Sequence, residues 1–240
     1  MGDLGTIVTL TKGKTHIEVA PELGFSLVRF SVGGLDLLDM SRKQEFLRIR
    51  KGLGPLILPH FNQAAEPPHV DESLFPHIRR LAALGVKHPF QHGIGRYVTW
   101  PYEVGEDTVT GDIDSETVVR GHALRQLVGY DFRARVQYRV LETGLSVAFD
   151  VEGEKPVAAG IHFYYDAVDK QNTHLYLPQE SETSARVVEL VEPIDQVFAL
   201  SSNDAERTAE CTLETPSYFL RTRFSTGGQD STSFDSVVIF

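Results

Sequence analysis

The sequence predicts an all-β protein, a large antiparallel β-sandwich with one short helix, and three observations carry that expectation. Apolar residues recur with a period of two along most of the chain. Glycine-containing turns punctuate these runs at short intervals, and only one stretch has helical spacing. A period of two puts one set of side chains on the core face and the alternate set in water, which is the pattern of half-buried antiparallel strands.

Taken in order, "TIVTL" and "THIEVA" flank Lys12-Gly13-Lys14 and read as a hairpin. In "GFSLVRFSVGGLDLLD" the pair Gly33-Gly34 turns the chain between two short strands. Residues 62–73, "NQAAEPPHVDES", read as a long loop over the sheet. The helix is expected in "DESLFPHIRRLAALG": Leu74, Ile78, Leu81, Ala82 and Leu84 share one face, Pro76 falls in the first turn and Gly85 is the stop. Further on, Phe132, Ala134, Val136, Tyr138 and Val140 alternate with Arg133, Arg135, Gln137 and Arg139. After a turn at Glu142-Thr143-Gly144 the alternation resumes through Leu145, Val147, Phe149 and Val151. "ARVVELV", "AECTLE", "YFLRTRF" and "FDSVVIF" supply later strands. With no internal repeat and no low-complexity linker, residues 1–240 are expected to form one domain.

Composition removes several function classes. The net charge of −10 opposes nucleic acid, and the densest basic run, Arg133 to Arg139, is one face of a strand. The single cysteine, Cys211, precludes an internal disulfide framework and fits a reducing compartment. The N-terminus has no basic-then-apolar leader, and no run approaches the ~20 apolar residues of a membrane span. Gly2 and Thr6 match the loose myristoylation pattern, but the match is short and the segment soon becomes strand. A cytoplasmic protein with no membrane or nucleic-acid partner is expected; oligomeric state is not legible.

Chemistry concentrates in "HPFQHGIGRYVTW", residues 88–100, where two histidines, Arg96 and the only tryptophan stand together. His60, His69 and His77 precede them, and solvated loop histidines are the plain reading of His69, His77 and His88. His88 and His92 have the i, i+4 spacing of metal ligands on a helix, but Pro89 and Gly93 disfavour a helix there. No metal and no other cofactor is expected.

Six segments in order resemble the aldose 1-epimerase (galactose mutarotase) family over about residues 22–200. "QHGIGR" resembles the family's His-Gly-Phe-Ala-Arg motif, and "GIHFYYDA" its Gly-x-His-Pro-Tyr-Phe motif. "ELGFSLVRFSVGGLDLL" is similar to the early strand pair, "GLGPLILPHFNQ" to the Gly-x-Pro-x-Leu-x-Pro segment, "GLSVAFDVEGEKPV" to the strand before the second histidine, and "PIDQVFAL" to an Asp-x-Val-Phe stretch. The resemblance implies a galactose mutarotase-like supersandwich that interconverts the α and β anomers of a hexose. It implies His162 as general acid at the ring oxygen and His92 as a ligand holding charge near the anomeric centre. Asp195 and Asn62 would bind hydroxyls, Arg96 would orient the sugar, and Trp100 or Phe163 would supply an aromatic platform.

Three departures qualify these expectations. Phe163 stands where the family has proline, and Gln63 where many members have arginine. The family's general base, a glutamate in a Glu-Pro pair, lies one strand beyond the stretch that "FDSVVIF" resembles; either a C-terminal segment is lacking or the base is, and Glu192-Pro193 comes too early in strand order. Alternatives are therefore a non-catalytic carbohydrate-binding module on the same fold, a hexose-6-phosphate epimerase using Arg79 or Arg80, and a metal-dependent enzyme built on His88, His92 and His162.

Overall fold

The structure, a computed structural model, describes residues 4–59, 79–87, 90, 92–154 and 159–166 with their side chains. It also gives the backbone of 77–78, 174–176, 186–187, 195–199, 207–214, 219–227 and 231–239. Every strand pairing among these residues is antiparallel. A first sheet runs in simple order through β1 (Val8–Lys12), β2 (Thr15–Ala20), β3 (Ser26–Val32) and β4 (Leu35–Asp36). Both turns expected in it are present, at Gly13-Lys14 and Gly33-Gly34.

Next come α1 (Lys43–Ile49), β5 (Leu56–Ile57), α2 (His77–Ala83), β6 (Tyr102–Val104), β7 (Thr108–Asp114), the small hairpin β8 (Val118–Val119) and β9 (His122–Ala123), and α3 (Leu124–Val128). The long hairpin β10 (Phe132–Leu141) and β11 (Gly144–Gly153) follows, then β12 (Gly160–Tyr164) and β13 (His174–Tyr176). The last strands are β14 (Arg186–Val187), β15 (Asp195–Ala199), β16 (Arg207–Glu214), β17 (Phe219–Gly227) and β18 (Ser231–Ile239). An eight-stranded sheet has the order β13-β16-β17-β18-β11-β10-β7-β6, and a four-stranded one the order β14-β15-β12-β5.

The long hairpin shows why this sequence folds as sheet. Phe132, Ala134, Val136, Tyr138 and Val140 are buried, while Arg133, Arg135 and Arg139 are exposed. Arg135 reaches Asp112 on β7 at 2.9 Å, so the basic run is one solvated face, as expected. The buried face packs on the first sheet. Tyr138 lies 5.4 Å, centroid to centroid, from Phe25 and donates its hydroxyl to the Phe25 carbonyl at 3.0 Å. Ile17, Val19, Leu27, Phe30 and Val32 of β2 and β3 are buried in the same core cluster, and each such side chain contributes about 1.5–3 kcal/mol on burial.

The expectation of one short helix needs correction. Three α-helices stand among the described residues. In α1, Phe46 is the buried residue, so seven residues show no apolar period. The five-residue α3 is too short for one. It is fixed at its ends instead: Gln126 accepts from the Ala123 N–H at 2.9 Å, and Gly129 closes it at φ 90°. The helix expected over 71–85 is described from His77; Leu81 is buried, and Gly85 follows in the left-handed region. Pro76 and the loop 62–73 lie outside the described residues.

Candidate functional site

The site grows from β12, an inner strand between β5 and β15. Its pairing extends beyond β5: the His162 N–H donates to the Pro55 carbonyl at 3.0 Å and Tyr164 N–H to Leu53 at 2.8 Å. All five residues of β12 are buried, His162 among them at 5% exposure. A strand buried throughout reads as a continuous apolar run, so a histidine inside it is a departure that calls for a role.

The chain after β5 then anchors the turn that carries His92. Gly95 N–H donates to the Leu58 carbonyl at 2.9 Å, and Gly93 N–H to Phe90 at 3.0 Å. Gly93 has φ 96°, and a Cβ there would collide with the Leu58 carbonyl, so only glycine lets the two segments approach this closely. Phe90 and His92 themselves sit at φ 44° and 57°. Left-handed backbone costs a non-glycine residue roughly 1–2 kcal/mol, a strain of the kind found where a side chain must be aimed. Here the His92 ring meets His162 edge-on, with centroids 5.5 Å apart and planes at 79°. The His162 ring also lies against that of Tyr164, at 4.6 Å and 38°.

Arg96 follows in a 3-10 turn, Gly95–Tyr97, and is 2% exposed. Its Nε donates to the Leu56 carbonyl and its Nη1 to the Arg50 carbonyl, each at 3.1 Å. Its Nη2 is buried with no hydrogen-bond partner among the described residues. Burial lowers its pKa to about 10, against which Tyr97 and Tyr164 act, so the guanidinium remains a cation at neutral pH. Arg50 caps α1 at φ 59° and donates to the Leu47 carbonyl at 2.9 Å; burial lowers its pKa as well. Burial raises the Tyr97 pKa, while Arg96, Arg50 and Arg120 pull it the other way.

The remaining expected residues fall elsewhere. Trp100 is 1% exposed, stacks on Phe25 at 5.5 Å and donates its Nε1–H to the Gly95 carbonyl at 2.9 Å. It braces the turn from the core side. Phe163 is equally buried and stacks on Tyr165 at 5.2 Å. Asp195 opens β15 and is the register partner of Tyr164, with Val197 opposite His162. Asn62, His60, His69, His88 and Glu192 lie outside the described residues. Arg79 and Arg80 are exposed on α2, and Arg80 lies against Gly129 at the end of α3. Sequence reasoning missed Tyr164, Arg50, Tyr97 and Arg120. Only Tyr164 left a signal, since two residues beyond His162 in a strand is the same side.

No protein-family model matches the sequence, and no curated protein does. Solved structures do match. A galactose mutarotase-like protein from Lactobacillus casei superposes with a TM-score of 0.58 at 14% identity, over 97% of this chain and 87% of its own. A galactose mutarotase related enzyme from Lactobacillus acidophilus gives 0.57 at 11%, over 97% and 85%. A galactose mutarotase-like protein from Clostridium acetobutylicum gives 0.55 at 10%, over 97% and 94%. At such identities the likeness lies in the backbone, and with sheets, order and pairing as described, the chain has the galactose mutarotase-like β-sandwich fold.

Proposed function

We propose that this chain is a single-domain cytoplasmic aldose 1-epimerase, which interconverts the α and β anomers of a hexose without a metal or other cofactor. One observation carries the reading: His92, aimed by a strained turn, meets His162 at 5.5 Å inside a strand that is otherwise buried and apolar. Two imidazoles so placed suit a ligand that changes charge at neighbouring oxygens.

In this mechanism His162 gives its proton to the ring oxygen while a general base, the role for which the described residues offer no assigned carboxylate, takes the proton of the C1 hydroxyl. The C1–ring-oxygen bond breaks, C1 becomes an aldehyde carbon, and rotation about C1–C2 turns its other face to the former ring oxygen. Ring closure reverses both proton transfers, so acid and base are restored. His92 hydrogen-bonds the sugar beside the anomeric centre, and Asp195 and Asn62 bind hydroxyls. General acid catalysis of this kind contributes about 10²–10⁴-fold. A sugar-binding module without catalysis is the contrasting possibility.

A second reading, that the hexose is phosphorylated, is favoured by Arg96. A buried guanidinium with Nη2 unpartnered among the described residues, beside half-buried Arg50, suits a phosphate oxygen. Arg79 and Arg80, which the sequence offers for this role, are exposed on α2.

Polarimetry on freshly dissolved α-glucose, α-galactose and glucose 6-phosphate tests both readings. Acceleration that disappears in His162→Ala supports catalysis, and preference for the phosphorylated sugar supports the second. No acceleration of any sugar, with a saturable sugar affinity, would establish the binding module instead.

A further inference from the structure

Acid catalysis requires His162 to carry its proton when the sugar arrives, and much around it works against that. The ring is 5% exposed, and burial disfavours the charged imidazole. The His92 ring stands at 5.5 Å, and a second proton there would repel the first. The cationic Arg96 lies within electrostatic reach of Tyr164 on the same strand. Of the strands flanking β12, β5 contributes Leu56 and Ile57, which do not titrate, and β15 sets Val197 opposite His162 and Asp195 opposite Tyr164.

Tyr164 opposes these effects. Its ring lies 4.6 Å from that of His162 with the planes at 38°, and it is 1% exposed, so the ring has little room to turn away. The negative face of an aromatic ring attracts a cation within about 6 Å of its centroid, and more strongly when water is excluded.

We infer that Tyr164 is the positioning residue for the proposed acid: the face of its ring, rather than its hydroxyl, orients the His162 imidazole and sustains its proton. This inference rests on the epimerase reading for its meaning in catalysis, while its physical content is a property of the folded protein alone. The motif made this tyrosine a neighbour of the histidine in sequence. The structure makes it a neighbour in space, with its ring 4.6 Å from that of His162.

The test is an NMR titration of the His162 ring protons in the full chain, identified by their loss in His162→Gln, alongside the pH dependence of kcat/KM for the best sugar. Tyr164→Phe keeps the ring and should leave the His162 midpoint within about 0.3 pH unit of the parent. Tyr164→Leu removes the ring and should lower the midpoint by about 0.5–1 pH unit, with the rate falling off at correspondingly lower pH. Should the leucine variant not fold, Tyr164→pentafluorophenylalanine retains the shape but reverses the charge of the ring face, and should lower the midpoint at least as far. An unchanged midpoint in the leucine and pentafluorophenylalanine proteins overturns the inference. So does a fall in Tyr164→Phe equal to that in the others, which would make the hydroxyl the working group. A shifted midpoint in a protein that turns over no sugar would refute the epimerase reading and leave the ring-face effect established.

Discussion

β10 and β12 are both inner strands of antiparallel sheets, yet they answer to different constraints. β10 alternates without exception between buried apolar residues and exposed or half-exposed polar ones, up to its last residue, Leu141, which is half-buried. β12 is buried at every position and still includes His162. In β10 each residue can be explained by packing or by water. In β12 the histidine is explained by neither, and its surroundings are themselves unusual: a turn with left-handed Phe90 and His92, and a guanidinium at 2% exposure. The contrast separates what holds the sandwich together from what the sandwich holds in place. It can be broken by mutating each strand and asking which property fails.

The largest expected effect is on β12. His162→Ala should lower kcat/KM for mutarotation about 10²–10⁴-fold, measured by polarimetry, while the melting temperature stays close to that of the parent. A large fall in melting temperature with normal activity per folded molecule would return His162 to the class of satisfied core histidines. Tyr138→Ala on β10 should do the opposite. It removes a ring packed at 5.4 Å on Phe25 and a hydroxyl bond to the Phe25 carbonyl, and large aromatic-to-alanine changes in cores cost about 3–5 kcal/mol. Denaturant titration should show that loss, with the turnover of the remaining folded fraction intact.

How much of this was legible beforehand follows the same division. The β10–β11 hairpin was readable to its turn because every side chain there obeys one period. β7 was not, since "TVTGDID" puts glycine at the middle of its three inward positions, where an apolar residue would mark a strand; a Cβ at Gly111 would press on the Phe25 ring. At the site, His92, Arg96 and His162 could be singled out as residue types out of place, and the structure brings the two histidines together. Arg50 could not, because it arrives through a left-handed helix cap rather than through any periodicity. Trp100 illustrates the converse: an aromatic beside a motif was expected at the sugar, and its ring stands in the core.

A smaller effect sharpens the comparison within the site. Arg50 borders the buried Arg96 and is half-buried, so Arg50→Ala should raise KM for glucose 6-phosphate about tenfold relative to that for glucose. The pH dependence has a definite sign. Burial depresses the Arg96 pKa to about 10, so the guanidinium is charged below that value and loses its proton only as pH rises through it. Phosphate completes its second ionisation above about pH 6. Preference for the phosphorylated sugar should therefore rise from pH 5 to 7, hold level to pH 9 and fall above 10. A preference that is flat from pH 5 upward would remove phosphate from the site.

The smallest effect belongs to the solvated side of β10. Arg135 holds Asp112 at 2.9 Å, but their side chains are 50% and 35% exposed. Water competes for both charges there, and ordering two side chains offsets what attraction remains, so such pairs add little to stability. Arg135→Ala should leave both melting temperature and mutarotation unchanged within error in 0.15 M salt. The contrast with Arg96 is then one of burial rather than of charge. Both are arginines, but one is surrounded by water and the other by backbone carbonyls, and only the second should alter what the protein recognises. If Arg135→Ala instead changed sugar selectivity, the exposed face of β10 would have to be counted as part of the site, and the division between the two strands would fail.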